Sequence, residues 1–281
     1  MLAITLAIGA SLIYGVSDFL GGLKSRSLAL LTVLIVSQGT ALMLLAAIVL
    51  STGGNPPERR YLLYGALAGV SEAVGVAALY RGLAVGVMSV VAPIAATAPV
   101  VPVLAALALG ETPTAIQGAG ILFAVGGVAL IAYSRSEETR SRAVGTSVLF
   151  GLLTALGFGG FFLAMDAASE GEVQWALLMA RLISVTAFVA VFVATRARLD
   201  AARGELPVLA LIGALIIAAD GMYAFASTEG LLSVVAVLSS LYPVVTIALA
   251  RVVLDERIER LQQVGIAVVL GGVVAITAAQ A

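Results

Sequence analysis

Four ionisable side chains stand inside long apolar stretches of this sequence: Asp18, Glu72, Arg181 and Asp220. A charged group at that depth is costly in hydrocarbon, so it pairs with another charge, changes its protonation state or lines a polar pathway. Glu72 lies near the middle of its stretch between small residues, which favour close packing of another helix. We predict that Glu72 gains and loses a proton during function. A structural carboxyl group hydrogen-bonded to a neighbouring helix is the alternative.

Arg181 and Asp220 lie at similar depth if their two apolar stretches cross the membrane in succession and in opposite directions. A neutralising ion pair would make both side chains tolerable in lipid and is the favoured interpretation. Direct binding of a substrate by Arg181 is the alternative. The two interpretations overlap, because a transport protein can break and remake such a pair.

Asp18 lies near the end of the first apolar stretch, where Lys24 and Arg26 follow. A salt bridge at the membrane interface and a role in a site are both open for this carboxylate. Tyr14 and Ser17 lie within about one helical turn of it. The segment is therefore a candidate wall of a polar cavity.

Prolines interrupt the fourth and ninth apolar stretches. Pro93, Pro99 and Pro243 each remove a backbone hydrogen bond and predict a kink or hinge. Carbonyl groups freed at that depth are tolerated where they face protein or a water-filled cavity. Ser239 and Tyr242, in the ninth stretch, are accordingly predicted to line such a cavity.

Two further tyrosines are candidates for the aromatic wall of a site for an amphipathic solute. They are Tyr80 in the third stretch and Tyr223 in the eighth. Anchoring at the membrane interface is the alternative for both, since tyrosine is enriched there.

The composition of the chain indicates the class of protein in which these residues lie. Of the 281 residues, 61% are hydrophobic and 11% are charged, which is more apolar surface than a soluble protein of this length buries. Segments of about 20 apolar residues, long enough to cross a bilayer, predict ten transmembrane helices in an all-α integral membrane protein. They lie at approximately 3–22, 28–50, 61–80, 86–109, 115–133, 145–164, 174–195, 207–226, 231–252 and 262–280.

The two halves of the chain are similar to each other. Gly86, Ser89 and Pro99 recur 144 residues later as Gly230, Ser233 and Pro243, and a glycine-rich pattern from Glu111 recurs after one inserted residue. We predict a five-helix repeat over 1–134, a polar linker over 135–144 and a second repeat over 145–281. Because five is odd, the second repeat enters the bilayer from the opposite side, which makes the repeats inverted.

Several local patterns resemble the drug/metabolite transporter superfamily, and within it the EamA-domain proteins. The patterns are Tyr14 to Phe19, Ala92 to Pro99, Gly110-Glu111 followed by Gln117, Gly120 and Gly126-Gly127, and the second copy from Leu254 to Gly272. The resemblance implies a carrier of ten helices in two inverted repeats. It also implies an arginine early in the second and seventh helices; Arg181 matches in the seventh, whereas Gln38 stands in the second.

The orientation implied by the family differs from the orientation implied by charge. Family members are pictured with both termini in the cytoplasm. Here lysine and arginine concentrate in the connections after odd-numbered spans, and only Arg59 and Arg60 lie after even-numbered spans. The positive-inside rule therefore places both termini outside the cytoplasm. An even number of spans places both termini on one side in either case.

Several classes of function are excluded or disfavoured by composition. The chain has no cysteine and no histidine, so thiol nucleophiles, iron–sulfur clusters, histidine metal sites and histidine proton relays are absent, and we predict no cofactor or metal. A net charge of −1 without basic runs argues against nucleic-acid binding. The short connections leave no room for a nucleotide-binding domain.

These observations predict a secondary active transporter and not an enzyme. It would export or exchange a small metabolite, an amino acid or a related amphipathic solute, by alternating access in a bacterial cytoplasmic membrane. Proton coupling through Glu72 is an additional hypothesis. The alternatives are an intramembrane lipid-modifying enzyme and a lipid-carrier flippase or passive channel. Asp18 and Asp220 would be the only pair of aspartates for such an enzyme, and their depths in the sequence place them toward opposite faces of the membrane. The oligomeric state stays open, and a monomer fits.

Overall fold

A computed structural model of the chain describes most of its length. The described residues are 2–53, 55–98, 100–101, 104–105, 115–133, 138–199, 203–229, 235, 238–239, 241–255 and 260–278. Within these ranges the protein is all-helical and contains no β-strand. Pro99 lies outside the described residues, so its predicted kink is not assessed.

Ten helices of eight or more residues occur in the described part of the chain. Each falls in one of the segments predicted from hydropathy, although several extend further. They are α1 (Leu2–Ser27), α2 (Leu30–Thr52), α3 (Arg59–Val85), α4 (Met88–Ala95), α5 (Ala115–Tyr133), α6 (Glu138–Ser169), α7 (Val173–Ala194), α8 (Leu206–Glu229), α9 (Tyr242–Val253) and α10 (Arg260–Ala278).

Six of these helices are long and apolar enough to cross a bilayer: α1, α2, α3, α7, α8 and the Ala143–Ser169 part of α6. Large apolar side chains on their outer surfaces are exposed, as expected for helices whose solvent is lipid. The protein is therefore a multi-pass integral membrane protein. The prediction of ten spans goes further than this count and stays a prediction.

Local sequence explains where two of the helices end. α2 ends where Gly53 adopts φ +66°, a left-handed conformation that glycine takes without strain, and its N–H bonds back to the carbonyl of Val49. α4 contains Pro93 and ends two residues later, at Ala95, in a tight turn in which Thr97 N–H donates to Ile94 at 3.0 Å. Proline removes a donor from this short helix and weakens its continuation.

The helices of one half pack mainly against helices of the other half. α3 lies against α6 and α7, while α8 lies against α1 and α2. α4 contacts α6 and α9, α9 also contacts α1, and α5 pairs with α10. The buried core is thus formed mainly between the halves, with a smaller contact of α1 with α3 inside the first half.

Glycines permit the closest of these crossings. A Cβ atom at Gly69 of α3 would overlap the carbonyl oxygen of Ala180 in α7, and one at Gly213 of α8 would overlap the carbonyl oxygen of Ser37 in α2. Removal of the side chain lets two helix backbones approach, as small residues commonly do in membrane proteins. The first crossing sets α3 and α7 side by side next to Glu72 and Arg181.

Candidate functional site

A cavity lies where α1, α2, α3, α6, α8 and α9 meet. About 500 Å³ of space lies between its walls, part of it open to the surroundings. The wall combines carboxylates and an amide with aromatic and aliphatic side chains. It is formed by Tyr14, Asp18, Gln38, Glu72, Val76, Phe158, Phe161, Phe162, Ile216, Asp220 and Tyr242.

Arg181 is the centre of the polar network beside this cavity. Its side chain is 2% exposed, and its guanidinium forms ion pairs with Glu72, at 2.5 Å, and with Asp220. It also donates to the side-chain oxygen of Gln38. The guanidinium fork has several donors in one plane, so one arginine can hold partners from α2, α3 and α8 at once.

The predicted pairing of Arg181 with Asp220 is present, and the structure adds a second carboxylate to it. Glu72 is the partner that sequence alone does not connect to Arg181. Their juxtaposition follows from the close crossing of α3 and α7, because Gly69 lies one turn before Glu72 and Ala180 lies next to Arg181.

Tyr14 joins α1 to the same network. Its hydroxyl donates a hydrogen bond of 2.6 Å to Asp220 Oδ1, while Asp220 Oδ2 faces Arg181. Both oxygens of this carboxylate are therefore engaged, which compensates for the loss of water around a charge that is 3% exposed.

Asp18 differs from the other two carboxylates. It is 6% exposed and lines the cavity, yet the described part of the chain provides it with no ion pair. The two basic residues that follow it are engaged elsewhere: Lys24 pairs with Glu205 at 2.5 Å, and Arg26 Nε donates to the carbonyl of Leu83. The interfacial salt bridge considered from the sequence is not formed.

The expectation that Asp18 and Asp220 lie toward opposite faces of the membrane is wrong. Both carboxylates lie on the wall of the same cavity. The reason is that α1 continues to Ser27, beyond the predicted end at residue 22, so Asp18 lies deeper than its sequence position suggested. In addition, α1 and α8 pack side by side.

Aromatic side chains form a large part of the cavity wall. Phe158, Phe161 and Phe162 come from α6, and the ring centroids of Phe158 and Tyr242 are 6.4 Å apart in an edge-on arrangement. Tyr14 and Tyr242 are also 6.4 Å apart. The three phenylalanines were not predicted from the sequence, because a phenylalanine in a membrane helix is unremarkable by itself.

The internal repeat contains a signal that would have found them. At the offset of 144 residues, Tyr14 corresponds to Phe158 and Asp18 to Phe162. Glu72 corresponds in the same way to Ile216, and Val76 to Asp220. All eight residues line the cavity. Each of these pairs combines a polar member with an apolar one, so the cavity occupies equivalent positions of the two halves but has chemically different walls.

The remaining predicted site residues lie outside the set that lines the cavity. Ser17 is buried, and its hydroxyl donates to the backbone of Tyr14. Tyr80 and Tyr223 are fully buried, Tyr80 against Gly21 and Tyr223 against Phe162 at a centroid distance of 5.0 Å. Their burial in protein argues against interfacial anchoring for both. Ser239, Pro93 and Pro243 are buried outside the cavity wall.

Comparison with known proteins identifies the family. The model of the EamA-like transporter family matches residues 1–133 and, a second time, residues 145–278. The chain belongs to this family. It is accordingly a membrane transporter of the drug/metabolite transporter superfamily, as the sequence patterns suggested, and its partners include the bilayer and a small-molecule solute. None of the proteins with curated descriptions matches the chain.

The architecture of this EamA-like protein also occurs in a solved structure. A chain whose title reads "Crystal structure of protein" superposes with a TM-score of 0.64 and 16% sequence identity. The match covers 98% of this chain and 96% of the other. At this identity the likeness concerns the fold alone.

Within the described residues of the transporter, no three aspartate and glutamate side chains come together as a potential metal-ligand set. Two of the three carboxylates around the cavity are instead occupied by Arg181.

Proposed function

We propose that this EamA-like protein is a secondary carrier that moves a small amphipathic solute, an amino acid or related metabolite, by alternating access. The cavity is the observation that carries the proposal. It lies at the contact between the two halves and contains polar and aromatic walls at equivalent positions of those halves. Carriers with internal repeats place their substrate sites at such an interface.

The proposal includes ten spanning helices in two inverted repeats. The helix contacts support it, because the larger ones are symmetric between the halves. When each helix of such a contacting pair is replaced by its counterpart five helices away in the chain, the result is again a contacting pair. The contact of α1 with α8 corresponds to that of α6 with α3, and the contact of α4 with α6 corresponds to that of α9 with α1. The double match of the family model, over 1–133 and 145–278, supports this division of the chain. Rocking of one repeat against the other would expose the cavity to alternate sides.

Proton coupling through Glu72 is the finer part of the proposal. Its Oε1 faces Arg181, whereas its buried Oε2 has no hydrogen-bond partner among the described residues. Protonation of Glu72 would remove its negative charge and so break its ion pair with Arg181. The carboxylate of Asp220 would still neutralise the positive charge of the guanidinium. A change in protonation would thus alter the network without leaving an isolated cation in the protein interior.

The test uses purified protein in liposomes with a labelled panel of amino acids and related amphipathic solutes. Glu72→Gln should abolish uphill transport driven by a proton gradient and spare exchange of internal for external solute. Asp166→Asn is the matched control, since Asp166 lies on α6 outside the cavity wall and is half-buried. Uphill transport unchanged in Glu72→Gln would disprove the coupling.

The same assay separates the carrier from its alternatives. Labelled solute should enter faster when unlabelled solute is present inside, because a carrier returns faster when loaded. A passive channel would show no such stimulation, a flippase would move lipid-linked cargo, and an enzyme would form product in detergent without any gradient. None of the geometry described above favours these three activities.

A further inference from the structure

We propose that the cavity of this transporter recognises a monocationic amphipathic amine that lacks a free carboxylate. The ammonium group would bind at Asp18, and the apolar part would lie against the phenylalanines of α6. This inference rests on the proposed carrier function and narrows its class of solute.

The charges around the cavity are unbalanced. Asp18, Glu72, Asp220 and Arg181 are all less than 9% exposed, and Arg181 is the only cation among the buried residues that the structure describes. With every group ionised, the cluster carries two surplus negative charges. A buried charge without a partner is strongly unfavourable, so a bound cation or an added proton must relieve the surplus.

Asp18 is where a cation from solution would be most favourable. Glu72 and Asp220 already face Arg181, and Asp220 also accepts from Tyr14. Asp18 lines the same cavity and has no ion pair within the described residues, since Lys24 is held by Glu205. Its carboxylate is therefore free to accept the N–H groups of an ammonium, a charge-assisted contact.

The same charges disfavour a carboxylate on the solute. A zwitterionic amino acid would bring its own anion to a cavity with three carboxylates. The one buried cation, Arg181, is already engaged by Glu72, Asp220 and Gln38, which leaves only its Nε without a partner among the described residues. An amine without that carboxylate satisfies Asp18 without adding an unpaired anion.

The aromatic wall supports the same class of solute. Phe158 and Phe162 are the counterparts, in the other half, of Tyr14 and Asp18, so aromatic rings and the free carboxylate occupy equivalent positions on the two walls of one cavity. The faces of aromatic rings attract ammonium groups through cation–π interactions, and the rings provide apolar surface against which an apolar group can pack. In addition, the buried hydroxyl of Tyr242 has no hydrogen-bond partner in the described part of the chain and is available to a polar solute.

Three probes that share a phenyl group separate the possibilities: phenethylamine, phenylalanine and phenethyl alcohol. Their affinities for the purified full-length protein are measured by isothermal titration calorimetry. Phenethylamine should bind about 10- to 100-fold more tightly than the neutral alcohol, as a charge-assisted contact predicts. It should also bind more tightly than phenylalanine. Equal or tighter binding of phenylalanine would overturn the inference, as would equal binding of the amine and the alcohol, the result expected if a proton neutralises Asp18.

A pair of variants locates the ammonium group. Asp18→Asn should remove most of the preference for the amine over the alcohol, whereas Asp166→Asn should retain it. An unchanged preference in Asp18→Asn would overturn the assignment to this residue. The ranking of the three probes on the unaltered protein does not depend on the folding of either variant.

Counterflow in liposomes separates failure of this inference from failure of the carrier proposal. If loaded phenylalanine stimulates exchange and phenethylamine does not, the carrier function stands and the inference is wrong. If the amine binds with the predicted ranking while neither the amine nor any solute of the metabolite panel is exchanged, the carrier function is wrong and the assignment of the cation site stands.

Discussion

At the scale of single residues, the site is a network in which one buried cation forms ion pairs with two carboxylates. Arg181 is compensated by Glu72 and Asp220, and Tyr14 completes the coordination of Asp220. Removal of one member leaves buried groups of the others without partners. Asp18 is the exception, because it lines the cavity but is not one of the carboxylates paired with Arg181.

The hydroxyl of Tyr14 is the contact in this network that can be removed with the least change of shape. We expect Tyr14→Phe to lower the free energy of unfolding by about 1.5–3 kcal/mol, because a hydrogen bond to a carboxylate is lost. The measurement is unfolding of the purified protein in detergent micelles, followed by circular dichroism.

Tyr223→Phe is the control for this change. Tyr223 is fully buried, whereas Tyr14 is partly buried, and the hydroxyl of Tyr223 has no hydrogen-bond partner among the described residues. Its removal should not lower the free energy of unfolding, because no hydrogen bond is lost and a buried hydroxyl without a partner is itself unfavourable. Equal effects of the two substitutions would show that the bond from Tyr14 to Asp220 does not stabilise the fold.

At the scale of helices, close crossings bring the charged residues together. α3 and α7 approach closely because Gly69 has no side chain to separate it from Ala180. Each helix is apolar on several sides, and only the crossing determines that Glu72 and Arg181 face each other. The position of the charges therefore depends on glycines that carry no chemistry themselves.

Gly69→Ala tests this dependence. A methyl group there would overlap the backbone of α7, so the two helices must separate. We expect a loss of about 1–3 kcal/mol in the free energy of unfolding, typical of overpacking, together with reduced transport. Unfolding in detergent and flux in liposomes are measured on the same preparation.

Gly39→Ala provides the matched control within α2. An added Cβ at Gly39 meets no atom within 4 Å. Alanine favours helix by about 1 kcal/mol over glycine, so stability should stay the same or rise slightly. A similar loss in both variants would mean that an added methyl group is destabilising even where it meets no neighbouring helix, so the crossing would not explain the effect at Gly69.

At the scale of the whole molecule, the two faces of the helix bundle differ in charge. Lys24 and Arg26 end α1 on one face, where Lys24 pairs with Glu205 at the start of α8. The opposite face contains the connection after α2, where Thr52 donates to Gln174 at 2.9 Å. These contacts link the two halves at both ends of the bundle.

The absence of cysteine makes the orientation of these faces measurable. Asn55→Cys and Gly204→Cys each place one thiol in an exposed connection, on opposite faces. By the positive-inside rule, we expect a membrane-impermeant thiol reagent applied to intact cells to label Asn55→Cys and not Gly204→Cys. The reverse pattern would place both termini in the cytoplasm, as the family resemblance implies. The unaltered chain should remain unlabelled.

Much of the fold followed from local properties of the sequence. Apolar stretches of bilayer length predicted the positions of the helices, because hydropathy acts on each segment separately. The repeat and its glycine patterns indicated the family, which the double match of the family model confirms. Asp18, Glu72, Arg181 and Asp220 were also recognisable as unusual, since charge is rare in such segments.

The partners of those charges were decided only by the tertiary structure. Arg181 pairs with Glu72 as well as with Asp220, and Asp18 has no ion pair within the described part of the chain. Phe158 lines the same cavity as Tyr14. Sequence gives the depth of a residue in a helix but not the direction in which it faces, because apolar side chains on nearly every side of a membrane helix leave no polar face to orient it. The sequence by itself therefore determined which residues carry charge at membrane depth. Helix crossings set by glycines decided which of those charges neutralise each other and which one, Asp18, has no ion pair within the described residues.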